Sequence, residues 1–90
     1  MSEMSRTVLI SNRRGLHARA SAKFVTLAAQ QAAQIEVEKD GSRVAGTSIM
    51  GLMMLGAAMG DTITITAAGN GANDAVLALT ELVEAKFGED

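Results

Sequence analysis

An alternating segment followed by an Asp-Gly pair constrains the fold of this chain more than any other feature. Polar and apolar residues alternate strictly over Gln34–Glu38, which predicts a strand with one buried face. Asp40 and Gly41 lie at the centre of the turn Lys39–Ser42 and favour a tight hairpin, so Arg43–Ala45 is predicted to return as the partner strand. This pairing predicts an antiparallel sheet with one face open to solvent.

The remaining segments add two strands and three helices to this hairpin. Their predicted bounds are a strand at Thr7–Ser11, a helix over His17–Ala33, a short apolar helix from a Thr47 or Ser48 cap to about Leu55, a strand at Asp61–Thr66, and a last helix that opens between Asn70 and Asn73 and carries Phe87 on its apolar stripe. The order β-α-β-β-α-β-α predicts an α+β open-faced β-sandwich, in which three helices cover one face of a four-stranded antiparallel sheet. Ferredoxin-like packing is the nearest competitor.

Composition narrows the classes of function. Ninety residues fit a single domain, 1–90, in which 1–5 are expected to form a flexible polar tail. One histidine and no cysteine leave few metal ligands, so we expect no metal and no cofactor. A net charge of −2 without a basic run, and only two aromatic residues, argue against nucleic-acid binding. No membrane span or signal peptide is recognisable, so we expect a monomeric cytoplasmic protein without membrane insertion.

His17, the single histidine, stands where the first predicted helix begins, just after the break at Gly15. The amides and dipole of a helix start favour an anion, and Arg19 adds a permanent cation for phosphate oxygens. The same positive surroundings favour a neutral imidazole, which keeps a nucleophilic nitrogen. A lone histidine is usually uninformative, and Arg13 and Arg14 taken alone indicate a polar turn. With no second base, Walker loop or magnesium cluster in sight, the pattern favours a phosphoryl carrier over a self-sufficient enzyme.

Two segments resemble the HPr family, the histidine-containing phosphocarrier proteins of the phosphoenolpyruvate-dependent phosphotransferase system. Asn12–Phe24 is similar to the family's active-site signature, and Thr47–Gly56 is similar to its regulatory-serine segment. The resemblance implies an open-faced β-sandwich, phosphorylation of a ring nitrogen of His17 by enzyme I, and transfer to a component IIA protein. It also implies that the first helix holds the phosphate through the backbone amides of Ala18 and Arg19, with help from the Arg19 side chain.

The chain departs from the family pattern at one position in the signature. Many members have proline after the arginine, whereas this chain has Ala20. Proline in a first turn presets φ, so alanine implies a slightly less preorganised helix start.

Ser48 has an ordinary interpretation and a regulatory one. Before a predicted helix it is an N-cap residue, or the neighbour of a Thr47 cap. The resemblance implies that HPr kinase/phosphorylase phosphorylates it, which would place about two negative charges on a docking surface. We hypothesise from this that phosphorylation of Ser48 slows the charging of His17.

The short helix after Ser48 contains more apolar residues than one buried face can hold. Leu52 and Leu55 are its predicted core residues. For the others there are two alternatives, either burial in the core or a soft exposed patch beside the active site on which partners dock, formed by Ile49, Met50, Met53 and Met54. Lys23 either adds a positive rim to this docking surface or is an ordinary solvated lysine.

Several other functions stay open on the sequence. A regulatory or nitrogen-branch HPr paralogue would share these motifs, and a ferredoxin-like metabolite-binding module would share the predicted elements. An acyl-phosphate hydrolase needs a phosphate-binding arginine and a water-positioning amide. Arg19 and Asn12 are the residues that could fill these roles, and they support this function only weakly. Gly69–Gly71 imitates the start of a dinucleotide-binding loop, but Asp74 stands where the third glycine belongs, so a turn and helix cap is predicted.

Overall fold

The computed structural model describes residues 3–89, which form four strands and three helices. The strands are β1 (Glu3–Leu9), β2 (Gln34–Lys39), β3 (Ser42–Ala45) and β4 (Thr62–Ala68). The helices are α1 (Ala18–Ala29), α2 (Ile49–Met54) and α3 (Ala72–Glu84), and a 3-10 turn at Lys86–Gly88 follows α3. The predicted order β-α-β-β-α-β-α is confirmed.

The strands form one antiparallel sheet in the order β1-β4-β2-β3. The hairpin between β2 and β3 turns at Asp40 and Gly41, whose φ angles of 50° and 84° lie in the left-handed region that such a turn requires. β4 is the last strand in the chain but lies inside the sheet, where Ile65 pairs with Arg6 of β1 and Val37 of β2. β4 therefore joins the N-terminal strand to the hairpin.

Alternation along the strands separates a buried face of the sheet from an open one. Val37, Ile63 and Ile65 are buried in one apolar core with residues of the helices. On the open face, the hydroxyl groups of Thr7 and Thr64 hydrogen-bond across β1 and β4 at 2.9 Å. The predicted open-faced β-sandwich is thereby confirmed. Within residues 3–89, no helix has both the length and the apolar character needed to cross a bilayer.

The expectation of a flexible tail over 1–5 is wrong where the structure describes this segment. Residues 3–5 begin β1 and pair with residues 66–68 of β4. The end of β4 has backbone N–H and C=O groups on the side of β1, and these find partners because β1 starts this early. Met1 and Ser2 lie outside the described residues.

Two predicted features of the helices need correction. α1 ends at Ala29 instead of Ala33, because the amides of Gln30 and Gln31 each donate to a carbonyl three residues earlier at 3.1 Å. This tighter final turn releases the chain toward β2. Phe87 was predicted on the apolar stripe of α3, but it lies beyond α3, in the 3-10 turn, where it is buried with a φ of 56°.

The segment Gly69–Gly71 forms the turn and helix cap that the sequence predicts. Gly71 is the N-cap residue of α3 and has a φ of 73°, a left-handed conformation that favours glycine. The resemblance of this segment to a nucleotide-binding loop therefore has a structural explanation.

The loop before α1 is held against the loop between α2 and β4. Leu16 is buried, and its amide donates to the carbonyl of Ala57 at 3.0 Å. Gly15 has a φ of 63°, and a Cβ at this position would overlap the Ala57 carbonyl and lie 2.8 Å from the Cα of Ala58. This close backbone approach requires glycine, and it fixes the start of α1 relative to the end of α2.

Candidate functional site

His17 is the N-cap residue of α1, where the loop from β1 meets the helix. Its backbone is extended, with φ −72° and ψ 179°, and its carbonyl accepts the amide of Ser21 at 2.9 Å. Its Nδ1 accepts the amide of Arg19 at 3.2 Å, so the imidazole satisfies one of the free donors of the helix start. The first turn contains Ala, Arg, Ala and Ser, so the helix start keeps its partial positive charge.

The first turn of α1 forms with alanine at the position where the family resemblance implies proline. α1 begins at Ala18, and Ala20 is fully buried in its first turn. Alanine is compatible with helical φ and ψ, and the buried methyl group helps to fix the turn against the core.

The second ring nitrogen of His17 contacts a carboxylate from the far end of the chain. Nε2 hydrogen-bonds to Oε2 of Glu89, which lies 72 positions later. The side chain of His17 is 15% exposed and that of Glu89 is 20% exposed, so the ring lies at the surface with one edge covered. Glu89 was not predicted as a site residue, because no local pattern in the sequence links residues this far apart.

Asn12 holds the carboxylate of Glu89 in place. Asn12 is fully buried, and its Nδ2 donates to the carbonyl of Gly15 at 2.8 Å and to Oε1 of Glu89 at 3.0 Å. The hydrogen bond from Asn12 is the main reason why the pKa of Glu89 is lowered. Partial burial opposes this shift, whereas His17 and Arg14 add to it. Asn12 therefore ties the loop before α1 to the C-terminal residues.

The segment after α3 reaches His17 because two contacts anchor it. Phe87 is buried in the core. The Nζ of Lys23, on α1, donates to the carbonyl of Phe87 at 2.7 Å. Lys23 is exposed, as the interpretation of a solvated lysine expects, although its Nζ also holds the Phe87 carbonyl, and its part in docking stays a prediction.

A basic basin of about 450 Å³ shares Glu89 with the site. Its lining residues are Arg13, Arg14, Arg19, Lys23, Gly88 and Glu89. The two arginines that alone indicate a polar turn thus share a surface with Arg19 from the first turn of α1. An anion that approaches His17 meets several cations on this side.

Ser48 caps α2 through the local hydrogen bond that its position predicts. Its Oγ accepts the amide of Gly51 at 2.9 Å, and its backbone is extended with φ −112° and ψ 109°. Thr47 is exposed and precedes the cap. The capping role of Ser48 is confirmed, and its phosphorylation stays a prediction.

The apolar residues of α2 divide into a buried pair and an exposed set. Leu52 and Leu55 are buried, as predicted. The exposed set, termed here the methionine patch, consists of Ile49 (41% exposed), Met50 (71%), Met53 (42%) and Met54 (80%). The alternative that all these residues belong to the core is wrong, because a helix of six residues turns only one narrow face inward. α2, which carries the methionine patch, packs against α1, the helix that His17 caps.

The chain is similar to known proteins over almost its whole length. The sequence matches the family profile described as PTS HPr component phosphorylation site over residues 4–85. It is 46% identical over 86 residues to the phosphocarrier protein HPr of Neisseria meningitidis, with 96% of this chain and 97% of the relative covered. It is 40% identical over 89 residues to the phosphocarrier protein NPr of Shewanella violacea, with 99% and 98% covered. A crystal structure of HPr from Thermoanaerobacter tengcongensis superposes with a TM-score of 0.90 at 44% identity, covering 100% of this chain and 99% of that chain.

Proposed function

The chain belongs to the HPr family of phosphocarrier proteins, and from this premise we propose that it accepts a phosphoryl group on His17 from enzyme I and passes it to a component IIA protein. The observation that carries this proposal is the position of His17 at the N-cap of α1, with Nδ1 facing the helix amides. The chain acts as a carrier and a protein substrate, since the phosphoryl group that arrives at His17 leaves from the same nitrogen.

Nδ1 is the nitrogen that takes the phosphoryl group in this proposal. An atom that accepts a backbone N–H bears a lone pair, so Nδ1 is unprotonated in the neutral ring. This lone pair gives up the hydrogen bond from the Arg19 amide and attacks the phosphorus of the donor, and the N–P bond forms as the bond between phosphorus and the donor breaks. The donor keeps the electron pair of the broken bond. Transfer to component IIA reverses these steps and regenerates the free ring.

The start of α1 stabilises the phosphoryl group while the chain carries it. The amides of Ala18 and Arg19 belong to the first turn, where helix amides have no intrahelical acceptors, and they are suited to donate to phosphate oxygens. A helix start contributes about 0.3–1 kcal/mol toward a negative charge, and a hydrogen bond from the Arg19 guanidinium about 1.5–3 kcal/mol. Contributions of this size hold the group and still allow it to leave.

The methionine patch is the docking surface in this proposal, and Lys23 adds a positive charge near Arg19 in the basic basin. Flexible methionine side chains adapt to partners of different shape, which a carrier between enzyme I and component IIA needs. The basic basin favours partners with an acidic surface around their own phosphorylation site. Ser48, at the start of α2, is the residue on which HPr kinase/phosphorylase would act, and its phosphate would add charge to the same docking surface.

A nitrogen-branch or purely regulatory role is the second candidate, and the 40% identity to the NPr of Shewanella violacea favours it. Both roles use the same chemistry at His17 and differ in the enzyme I that charges the chain. For either role we propose a monomeric single domain over 1–90 that works in the cytoplasm, in keeping with its lack of cysteine.

Intact-mass measurement after incubation with enzyme I and phosphoenolpyruvate tests the carrier role. We expect the wild-type chain to gain one phosphoryl group that is labile in acid and stable in alkali, and His17→Ala to gain none. An equal mass gain in His17→Ala, or no gain in the wild type, would contradict the proposal. Catalytic release of inorganic phosphate from an acyl phosphate would instead favour a hydrolase. Enzyme I from the sugar branch and from the nitrogen branch, compared by rate, separates the two candidate roles.

A further inference from the structure

Glu89 takes no part in the transfer steps above, although its carboxylate hydrogen-bonds to Nε2, the second ring nitrogen of His17. We propose that Glu89 is a positioning residue, which holds the neutral His17 ring in the tautomer with its proton on Nε2 and so keeps the attacking lone pair on Nδ1. Asn12 is the residue that aims Glu89 at the ring. This inference rests on the proposed function, because it says how the attacking nitrogen is prepared.

Hydrogen bonds on both edges of the ring select this tautomer. The backbone amide of Arg19 is a donor, so Nδ1 has to accept. The carboxylate of Glu89 is an acceptor, so Nε2 has to donate. The opposite tautomer would place a proton against the amide and a lone pair against the carboxylate, and both hydrogen bonds would be lost. The two contacts therefore keep the lone pair on Nδ1.

The same carboxylate stabilises the charge that the ring acquires during transfer. When Nδ1 gives its electron pair to phosphorus, the imidazole becomes cationic while its proton stays on Nε2. Glu89 faces that N–H in the same way as the acidic residue of a Ser-His-Asp triad faces its histidine. The lowered pKa of Glu89 keeps its carboxyl group ionised at neutral pH.

Asn12 makes the orientation of Glu89 specific. Its NH2 group donates one hydrogen to the carbonyl of Gly15 and the other to Oε1 of Glu89. Oε1 is therefore engaged, and Oε2 is the oxygen that points at His17. Since Asn12 is fully buried, any side chain at position 89 that occupies this site meets the same donor and has to turn an acceptor toward it.

This constraint makes Glu89→Gln the most informative variant. The oxygen of the new amide has to face Asn12, so its NH2 group faces Nε2 of His17 and donates to it. The ring proton is then expected to shift toward Nδ1, which breaks the 3.2 Å hydrogen bond from the Arg19 amide and blocks the attacking nitrogen. Glu89→Ala instead leaves Nε2 to water, so that the amide of Arg19 alone still favours the Nε2–H tautomer. Glu81→Gln, at an exposed position of α3, removes the same charge away from the site and is the matched control.

NMR of the full chain labelled with 15N measures the tautomer directly, because His17 is the single histidine and its ring nitrogens give unambiguous long-range signals. We expect the Nε2–H tautomer in the wild type and in Glu81→Gln, a smaller excess of this tautomer in Glu89→Ala, and a shift toward the Nδ1–H tautomer in Glu89→Gln. The rate of phosphoryl acceptance from phosphorylated enzyme I should fall about tenfold in Glu89→Ala and further in Glu89→Gln.

Three results would overturn the inference. In the first, Glu89→Gln keeps the wild-type tautomer and rate. In the second, the tautomer changes but the rate does not. In the third, the rate of phosphoryl acceptance falls equally in Glu89→Gln and Glu89→Ala without any change of tautomer, which would give Glu89 only a structural role. Failure of the proposed function looks different, since the wild-type chain then takes no phosphoryl group, while NMR of the free chain still reports the tautomer.

Discussion

The starts of α1 and α2 use the same capping arrangement with different side chains. Nδ1 of His17 accepts the amide of Arg19 at 3.2 Å, and Oγ of Ser48 accepts the amide of Gly51 at 2.9 Å. The contact of Ser48 is complete within its own helix turn, whereas His17 has a second nitrogen whose partner, Glu89, comes from the other end of the chain. The comparison shows that a capping side chain can also take part in chemistry when its second polar atom is oriented by a residue that is distant in the sequence.

The two helix starts also have different surroundings. A basic basin that includes Arg13 and Arg14 lies on the side of α1, whereas the methionine patch follows the cap of α2. An added anion is stabilised in the first environment and disturbs apolar docking in the second. This difference supports transfer as the role of a phosphate on His17 and regulation as the role of a phosphate on Ser48.

Replacing each capping residue by alanine should give the largest difference between the two helix starts. His17→Ala should abolish phosphoryl acceptance, because the attacking nitrogen is gone. Ser48→Ala should accept from enzyme I at close to the wild-type rate, since its hydroxyl group only caps α2. Initial rates of phosphorylation at equal concentration check both variants. If the two variants lost acceptance to the same degree, the chemical distinction between the caps would be refuted.

Gly15, in the loop before α1, should be the backbone position at which a substitution lowers the free energy of unfolding most. Gly15→Ala is expected to lower the free energy of unfolding by roughly 2–3 kcal/mol or more, because its φ of 63° is strained for alanine and its Cβ overlaps Ala57. Gly41→Ala is the matched control, with a φ of 84° and no atom within 4 Å of the new Cβ, so about 1 kcal/mol is expected from strain alone. Urea unfolding measures both, and equal losses would argue against the Ala57 contact.

Adding a charge to the second cap sharpens the comparison. Ser48→Asp keeps a capping oxygen but places a negative charge beside the methionine patch, so acceptance from enzyme I should slow about tenfold while stability changes little. Steady-state kinetics should show the change mainly as a raised KM. Ser42→Asp adds the same charge at an exposed site on β3 and should leave the kinetics unchanged. Wild-type kinetics in Ser48→Asp would contradict the regulatory hypothesis.

Removing the hydroxyl group of the second cap should have a modest effect on stability. Ser48→Ala is expected to lower the free energy of unfolding by about 1 kcal/mol, since the amide of Gly51 loses its partner. Thr47→Ala, one residue earlier and exposed, should cost much less. Thermal or urea unfolding of the two variants measures the difference in free energy of unfolding. A larger loss in Thr47→Ala than in Ser48→Ala would mean that Thr47 is the capping residue.

The smallest expected effect is a response to acid at the first cap. Hydrogen bonds from Asn12 and His17 lower the pKa of Glu89 below its ordinary value of 4.5. The folded chain thus binds this proton less readily than the unfolded chain. The contribution of Glu89 to stability is therefore complete above the ordinary value and disappears as the pH falls through the lower folded value. Unfolding of the wild type and Glu89→Gln should differ near neutral pH and converge in acid, and a difference independent of pH would speak against this linkage.

Local signals were sufficient where a feature is completed by neighbours in the chain. The turn at Asp40 and Gly41 was predicted correctly for this reason, and so was a cap at Thr47 or Ser48, of which the structure shows Ser48. The start of β1 at Glu3 and the end of α1 at Ala29 were not predicted, because they depend on where β4 and β2 lie. The division of α2 into a core pair and the methionine patch likewise stayed open until the packing of that helix was known.

The sequence by itself determined which groups are available for chemistry: one imidazole two residues before an arginine at a helix start, and a serine before an apolar helix. Only the tertiary structure decided how the imidazole of His17 is held. Its contact with Glu89 spans 72 positions and depends on the buried amide of Asn12 and the burial of Phe87. Periodicity in a sequence reports which residues share a face of one element, so a pair this distant leaves no trace in it.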